Sequence, residues 1–244
     1  MPSPILTGSD EMDAVREILS HLDWSPLLIS LKTGLVATIL CFFLGIFAAR
    51  KVLKLGGKTR AVIDGILTLP MVLPPTVAGF FLLLFFSLRR PFGAFLYQQA
   101  GIKVVQTWLG CILAASVIAF PLMYRNARAA FEQVDVNLIY AGRTLGMSET
   151  EIFWRVTVPT AGPGIASGTI LTFARALGEY GATSMLAGNI AGKTGTISQK
   201  IATAISQNGD YLTAGVWVII VMLIAFVIVV LMNLVTGGRN RRRW

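Results

Sequence analysis

Five long apolar blocks, separated by short polar connections, dominate the hydrophobic pattern of this chain. They cover residues 27–49, 61–88, 107–124, 162–187 and 213–235. A helix rises about 1.5 Å per residue, so about 20 apolar residues cross a hydrocarbon core of about 30 Å. The pattern therefore predicts an all-α fold, a polytopic membrane helix bundle of about five spans over residues 25–236, flanked by segments 1–24 and 237–244.

The second apolar block contains three prolines within six residues, a spacing that one straight helix does not tolerate. They are Pro70, Pro74 and Pro75, and Thr76 follows them. Broken backbone at membrane depth persists only where it is buried in protein or lines a cavity. These four residues are therefore candidates for a pathway through the membrane; the alternative is a kink that serves packing alone.

A polar-rich stretch, which we call the 135–159 segment, lies between the third and fourth blocks. Its pattern predicts two short helices with a sharp joint between them. The first begins at Asp135 or Asn137, either of which can cap a helix. Gly146 stands where helices commonly end in a left-handed residue. Residues at helical spacing between these points share one face. They are Leu138, Ala141, Gly142 and Leu145.

The second helix of the 135–159 segment is predicted from its two ends. Ser148 and Glu151 form a capping box at its start, and Pro159 is expected to stop it. The small centre of the first helix, Ala141 and Gly142, would let another surface approach its backbone closely. We therefore predict a docking surface; the alternative is an ordinary amphipathic hairpin between membrane helices.

Composition and charge support a membrane protein and give it an orientation. Hydrophobic residues make up 55% of the chain and charged residues 14%, too apolar for an ordinary soluble domain. The net charge is +9, but the basic residues gather at the ends of the apolar blocks, which argues against nucleic acid as a partner. Thirteen Lys and Arg lie in residues 50–60, 125–161 and 239–244, against six in 1–26, 88–106 and 188–212. The positive-inside rule then places the N-terminus outside and both the 125–161 loop and the C-terminus in the cytoplasm.

The N-terminal segment has neither a basic region nor a small-residue cleavage site, so we expect no removable signal peptide. Between residues 10 and 24, apolar residues recur at helical spacing opposite mostly acidic ones. This pattern predicts a short amphipathic helix that lies on the extracytoplasmic surface of the membrane.

The chain contains few residues that could serve in catalysis or bind a metal ion or nucleotide. Cys41 and Cys111 both lie in apolar blocks and are expected to be free thiols, and His21 is the only histidine, so no metal site is predicted. A Gly-Lys-Thr run at residues 192–194 lacks the spacing of a nucleotide-binding loop. We therefore expect no catalytic residue and no bound cofactor in this chain.

Two charges stand inside the fourth apolar block. Charged residues are costly in a membrane and usually pair, face a bundle interior or line a route. Arg175 and Glu179 are four residues apart and can neutralise each other on a helix, or they can face a pathway. Gly178 and Gly181 permit close helix approach or a local break. Thr183, with the neighbouring Ser184, could offer neutral donors to a passing oxyanion.

The 135–159 segment resembles the EAA loop of ABC importer permeases. The pattern of that loop is met by Tyr140-Ala141-Gly142, by Gly146, and by Val156-Thr-Val158-Pro159. Tyr140 replaces the glutamate of the pattern and Gly142 its second alanine. In the family this loop is a coupling helix that sits in a groove of the ATPase subunit. The resemblance thus implies an ATPase-coupling role for Leu138, Tyr140, Ala141, Gly142, Leu145, Gly146 and Pro159.

A second resemblance covers residues 25–235 and is narrower, to the molybdate permeases of the sulfate/molybdate/tungstate group. It rests on residues 173–182, 186–194 and 69–79, the last including Leu-Pro-Met-Val-Leu-Pro-Pro-Thr. It implies the transmembrane domain of a type I ABC importer for molybdate, with sulfate or tungstate as alternatives. The implied partners are a second copy of the chain, two ABC ATPase subunits that bind ATP and Mg²⁺, an extracytoplasmic oxyanion-binding protein and membrane lipid.

Two hypotheses from other functional classes remain as alternatives. One is a stand-alone channel or secondary transporter, which would purify without an ATPase. The other is a membrane-embedded enzyme with Glu179 as general base, a role that burial can favour. No nucleophile–base pair or metal cluster accompanies Glu179 in the sequence, so the transport reading is preferred.

Overall fold

The computed structural model describes residues 16–207 and 209–237, and this part of the chain is helical with no strand. The helices are α1 Ser25–Leu53, α2 Gly57–Val72, α3 Pro75–Phe86, α4 Pro91–Ala100, α5 Trp108–Glu132, α6 Val136–Thr144, α7 Glu149–Ile152, α8 Gly162–Leu177, α9 Gly181–Ala187, α10 Ile197–Ser206 and α11 Tyr211–Gly237. The predicted all-α class is confirmed. The predicted N-terminal helix lies mostly outside the described residues, where only 16–20 are helical, and so does most of the basic tail.

Membrane-spanning length is reached by fewer single helices than the five predicted. Among the described residues, α1, α5 and α11 are long and apolar enough to cross a membrane, and α2 with α3 forms a pair bent by 107°. The fourth block, residues 162–187, is also divided, into α8 and α9. The break in the second block was predicted from its prolines, and the break in the fourth block lies at residues 178–180, beside the glycines that permit one.

The third predicted span also differs from its helix. Helix α5 does not end at residue 124 but continues to Glu132. Beyond residue 124 its buried face persists through Ala127, Ala130 and Phe131, while charged residues occupy the other face. Packing therefore extends the helix past the apolar stretch, and the connection that leads to α6 is only residues 133–135.

The core is centred on α5, which packs against α1 on one side and α8 on the other. Small side chains dominate these contacts, and several are fully buried: Ala37, Ala49, Ala115, Ala119 and Ala127. Small residues let helix backbones approach closely, which is how membrane helices gain packing energy without a hydrophobic driving force from water. Tyr124 and Met123, both almost completely buried, fill the remaining space.

Large apolar side chains cover the outer faces of α1 and α11. Phe43 and Phe47 of α1 and Met222 and Phe226 of α11 are each 60% exposed or more. Side chains of this kind are stable against lipid or against another apolar surface. The exposed pattern agrees with a polytopic membrane protein whose outer helices meet lipid or a second subunit.

The two predicted outer connections contain helices that the hydrophobic pattern did not reveal. Helix α4 lies within residues 89–106 and α10 within 188–212. Thr196 and Gln199 form a capping box at the start of α10, and the Ile197 backbone N–H donates to Ser30 Oγ of α1 at 2.9 Å. Gln199 Nε2 also donates to the Gly188 carbonyl at 2.9 Å. The outer connection is therefore packed onto the bundle.

Candidate functional site

The first helix of the 135–159 segment has the predicted ends. Asp135 caps α6 by accepting a hydrogen bond from the Asn137 backbone N–H at 2.9 Å, which settles the choice between these two residues. At the other end Gly146 has φ +74°, with its N–H bonded to the Arg143 carbonyl. The Met147 N–H reaches back to the Gly142 carbonyl at 3.1 Å. These two bonds make a Schellman motif, the usual termination at a left-handed glycine.

The second helix starts as predicted but does not stop at Pro159. Ser148 and Glu151 form the capping box around the start of α7. The helical run then widens into a π turn at Phe153–Thr157 and resumes at Val158–Thr160, with Pro159 inside it. The prediction that Pro159 stops the helix was wrong because the π turn ends at Thr157 and a new helical turn begins at Val158. Pro159, which has no N–H to donate, then lies in the first turn of that helix, where proline is tolerated.

Two carboxylates fix the joint between these helices. Glu149 Oε1 accepts from Arg143 Nε at 2.7 Å, and this bond lowers the pKa of the Glu149 carboxyl below its ordinary value. Hydrogen bonds from the Ser148 backbone and hydroxyl likewise lower the pKa of Glu151. A depressed carboxyl pKa means that these contacts stabilise the joint at neutral pH and are lost as pH falls through the folded-state pKa.

Gly142 packs within the segment rather than on its outer surface. It is buried, and a Cβ placed on it would stand 3.0 Å from Ile152 Cγ1 of α7. The surface that approaches its backbone closely is thus the chain's own second helix. The sequence identified the need for a small residue correctly but assigned it to docking, since spacing alone does not show which neighbour fills the space.

The outward face of the segment is apolar. Leu145 is 80% exposed, Tyr140 54% and Leu138 44%, and Ala141 is exposed beside them. Val136 and Trp154 extend the same kind of surface. The Arg143 guanidinium lies 5.6 Å from the centre of the Tyr140 ring, so the tyrosine that departs from the glutamate of the loop pattern makes a cation–π contact instead.

Replacing Gly142 with leucine should therefore loosen the 135–159 segment from within. The added side chain must displace Ile152, and such overpacking typically costs about 1–3 kcal/mol. We expect faster amide hydrogen exchange in α6 and α7. The double variant Gly142→Leu/Ile152→Ala, which restores space, should recover much of the protection. Unchanged exchange in the single variant would contradict this packing.

The other candidate residues meet where the two broken blocks cross. Helix α2 ends at Val72, Leu73 is extended, and Pro74 and Pro75 start α3 in a new direction, whereas Pro70 is accommodated within α2. The prolines at 74 and 75 thus produce the predicted break.

The N-terminal end of α9 packs against this break. A Cβ on Gly181 would lie 3.1 Å from the Thr76 backbone nitrogen, and one on Gly79 would lie 2.6 Å from Ala182 Cα. Only glycines allow the two interrupted helices to approach so closely. Thr76 is exposed at the break, whereas Thr183 is 1% exposed and does not reach open space.

Arg175 and Glu179 form the ion pair that the sequence left open, but with unequal surroundings. Arg175 Nη1 donates to Glu179 Oε2 at 2.7 Å. The Glu179 side chain is 2% exposed and its second oxygen accepts from the Ala182 N–H at 2.8 Å, so it also caps α9. The Arg175 side chain is 33% exposed.

A cavity of about 350 Å³ lies beside Arg175. Its lining residues are Pro70, Met71, Leu73, Pro75, Ile118, Leu122 and Arg175. The break in the second block and the arginine of the fourth block therefore share one cavity. Arg175 is the charged residue in its lining, and the buried Glu179 holds that arginine in place.

The sequence analysis missed a polar cluster on the same helices, on the side predicted to be cytoplasmic. Asp64 of α2 accepts hydrogen bonds from Tyr124 and Arg128 of α5, and Arg128 also contacts Glu132. Arg60 of α2 pairs with Glu132 as well. An acidic residue inside the second apolar block was the available signal. Its partners, 60 residues or more away along the chain, could not be inferred from local patterns.

Among the described residues no cluster of His, Cys, Asp or Glu has the arrangement of a metal site. Cys41 and Cys111 are buried, free thiols.

Comparison with known proteins identifies the family. Residues 42–237 match the family described as "Binding-protein-dependent transport system inner membrane component". The chain is 42% identical over 192 residues to the molybdenum transport system permease protein ModB of Escherichia coli (strain K12), covering 79% of this chain and 84% of that protein. It is 35% identical over 206 residues to the putative molybdenum transport system permease protein YvgM of Bacillus subtilis (strain 168), covering 83% and 89%. The sulfate transport system permease protein CysT of Salmonella typhimurium (strain LT2) is 31% identical over 214 residues, covering 88% and 76%.

Solved structures show the same fold at low sequence identity. The MetNI methionine ABC transporter in an inward-facing conformation has a TM-score of 0.64 at 19% identity, covering 90% of this chain and 99% of its own. A bacterial alginate ABC transporter, in complex with a periplasmic protein bound to alginate pentasaccharide, has a TM-score of 0.66 at 16% identity, covering 98% and 91%. The fold is therefore that of a type I ABC importer transmembrane domain. The chain belongs to the family of inner membrane components of binding-protein-dependent transport systems, as a multi-pass permease subunit and not an enzyme.

Proposed function

We propose that this chain is the permease subunit of an ATP-driven importer of molybdate, with tungstate as a second substrate. The capped and exposed apolar surface of the 135–159 segment carries the ATP-driven part of the proposal, because it offers a rigid docking face beyond the ends of the membrane helices. The substrate follows from two similar permeases, which are named for molybdenum transport at 42% and 35% identity. Sulfate, named for a relative at 31% identity, is the alternative.

The proposed assembly contains two copies of the chain, two ABC ATPase subunits and an extracytoplasmic binding protein. Few helices of one chain surround the cavity beside Arg175, and large apolar side chains of α1 and α11 remain exposed. A two-fold pair would enclose a route between identical surfaces. We propose that this chain binds no cofactor, and that ATP and Mg²⁺ belong to the ATPase subunits.

Transport would proceed by alternating access. ATP binding closes the ATPase pair, the 135–159 segment moves with it, and the outer side opens to receive the oxyanion; hydrolysis reverses these changes. Arg175 would contact the anion in transit. Its pairing with Glu179 reduces its net charge, which favours release over tight retention. Thr76 at the exposed helix break lies next to this route.

The docking face gives a direct prediction for Leu145. The Leu145→Asp substitution puts a charge on the most exposed apolar side chain of this face, and losing a hot-spot residue of an interface costs about 2 kcal/mol or more. We expect the permease to fold but to purify with little ATPase subunit. Ile102→Asp, at an exposed apolar residue on the predicted outer side, is the control and should retain the ATPase. Equal retention by both variants would argue against docking at Leu145.

The substrate assignment is tested by uptake into vesicles that contain the whole complex. Molybdate serves as tracer, and tungstate and sulfate serve as competitors. Inhibition by tungstate but not by sulfate, with strict ATP dependence, is the expected result. Strong competition by sulfate would assign the protein to the sulfate branch. Uptake without ATP would favour a channel or secondary transporter instead.

A further inference from the structure

A second cavity lies on the cytoplasmic side, between the end of α1 and the 135–159 segment. Its volume is about 310 Å³, close to that of the cavity beside Arg175. From α1 it is lined by Arg50 and Leu53, with Lys54 directly after the helix, and from the segment by Arg143 and Phe153. We call this space the basic cavity. The transport cycle proposed above gives it no role.

The walls of the basic cavity combine positive charge with an apolar floor. Arg50, Lys54 and Arg143 supply three positive charges, and the only acid in the lining, Glu149, is paired with Arg143. The floor contains Phe153, 8% exposed, together with Phe131 and Ile152, which are 6% and 2% exposed. A ligand that fits must therefore be anionic at one part and apolar at another.

Arg50 is held in place before any ligand arrives. Its guanidinium carbon lies 4.1 Å from the centre of the Phe153 ring, and Nη2 is 3.5 Å from Thr150 Oγ1. Stacking on an aromatic ring leaves the edge of a guanidinium free to donate to phosphate oxygens. Lys54, by contrast, is exposed at the rim and offers a mobile charge.

The basic cavity lies at the end of a candidate membrane span. Helix α1 is a candidate span that ends at Leu53, so Arg50 and Lys54 lie where it leaves the membrane. Five Lys and Arg occur within residues 50–60. Basic residues just cytoplasmic of a membrane helix attract anionic lipid headgroups.

We propose that the basic cavity binds an anionic phospholipid of the cytoplasmic leaflet, with its phosphate between Arg50 and Lys54 and its apolar part against Phe131 and Phe153. Such a lipid joins α1 to the 135–159 segment and steadies that segment against the bundle. Free phosphate shares the charged part of this chemistry. The apolar floor and the position at the membrane surface favour the lipid.

Binding is tested on the purified whole complex in detergent, with short-chain phosphatidylglycerol as the probe and calorimetry as the measurement. Inorganic phosphate and short-chain phosphatidylcholine are the comparison ligands. The variant is Lys54→Gln. Its matched control is Lys51→Gln, because Lys51 is also exposed at the end of α1 but does not line the cavity and lies 5.4 Å from the Phe47 ring.

We expect one phosphatidylglycerol per permease chain, weakened about fivefold by Lys54→Gln and less than about twofold by Lys51→Gln. Three results would overturn the proposal. The first is equal weakening by the two substitutions, which would indicate a diffuse surface charge. The second is phosphatidylcholine binding as tightly as phosphatidylglycerol. The third is inorganic phosphate binding as tightly as the lipid, which would identify a site for free oxyanions.

Discussion

Replacing Gly146 with valine is expected to reduce ATP-driven uptake by about tenfold or more. Gly146 has φ +74°, a region that a β-branched residue rarely adopts. Strain of this kind costs on the order of 1–3 kcal/mol, and the chain can relieve it only by breaking the two bonds that end α6. The angle between α6 and α7 would then change, and the docking face would lose its shape. ATP hydrolysis would become uncoupled from transport, or the complex would fail to assemble.

Two further substitutions separate this effect from general strain. Gly101 also has a positive φ, +65°, and like Gly146 has no atom within 4 Å of an added Cβ, but it ends α4 on the predicted outer side. Gly101→Val should therefore lower stability by a similar amount and leave coupling intact. Gly146→Asn should retain most uptake, because asparagine tolerates the left-handed region. Normal uptake by Gly146→Val, measured in vesicles with the whole complex, would refute the coupling role of this joint.

Replacing Arg175 with alanine is expected to lower the free energy of unfolding of the permease by about 3 kcal/mol. This value is near the lower end of the range measured when one partner of a buried ion pair is removed. The substitution leaves the Glu179 carboxylate, 2% exposed, with the Ala182 N–H but without its cation. Glu179→Gln should be milder, since an amide oxygen can still accept from Ala182 and the remaining Arg175 is partly exposed. Uptake should fall in both variants.

The two buried cysteines provide the measurement. Cys41 and Cys111 are 1% and 0% exposed, so a thiol-reactive dye reports unfolding of the bundle as temperature rises. The order of stability should be wild type, Glu179→Gln, then Arg175→Ala. The double variant Arg175→Ala/Glu179→Gln should be more stable than Arg175→Ala alone, because it removes the unpaired charge. A double variant that is the least stable of all would show that charge pairing is not what holds this part of the fold.

Local features were predictable from sequence because their causes are local. Asp135, Gly146 and the Ser148–Glu151 box act on backbone groups within a few residues, so their types and spacing define the helix ends. The break at Pro74 and Pro75 follows in the same way from missing donors. Pro159 was the exception, since the π turn before it offers a local alternative that residue types do not reveal.

Features that depend on distant neighbours were not predictable in the same way. The partner of Gly142 is Ile152, and the partners of Asp64 are Tyr124 and Arg128. These contacts arise only when separate helices pack. The division of roles within the charged pair, with Glu179 buried and Arg175 beside a cavity, likewise depends on how α9 meets the break between α2 and α3.

The continuity of the chain after the 135–159 segment has a mechanical consequence. Only Ala161 separates the last turn at Val158–Thr160 from α8, and α8 carries Arg175 in its final turn. A helix of this length is a stiff rod of about 24 Å. A tilt of the Val158–Thr160 end would be transmitted along the helix to Arg175, because no flexible connection lies between them. The proposed docking segment and the cavity beside Arg175 would then move together as the two ends of one rigid lever.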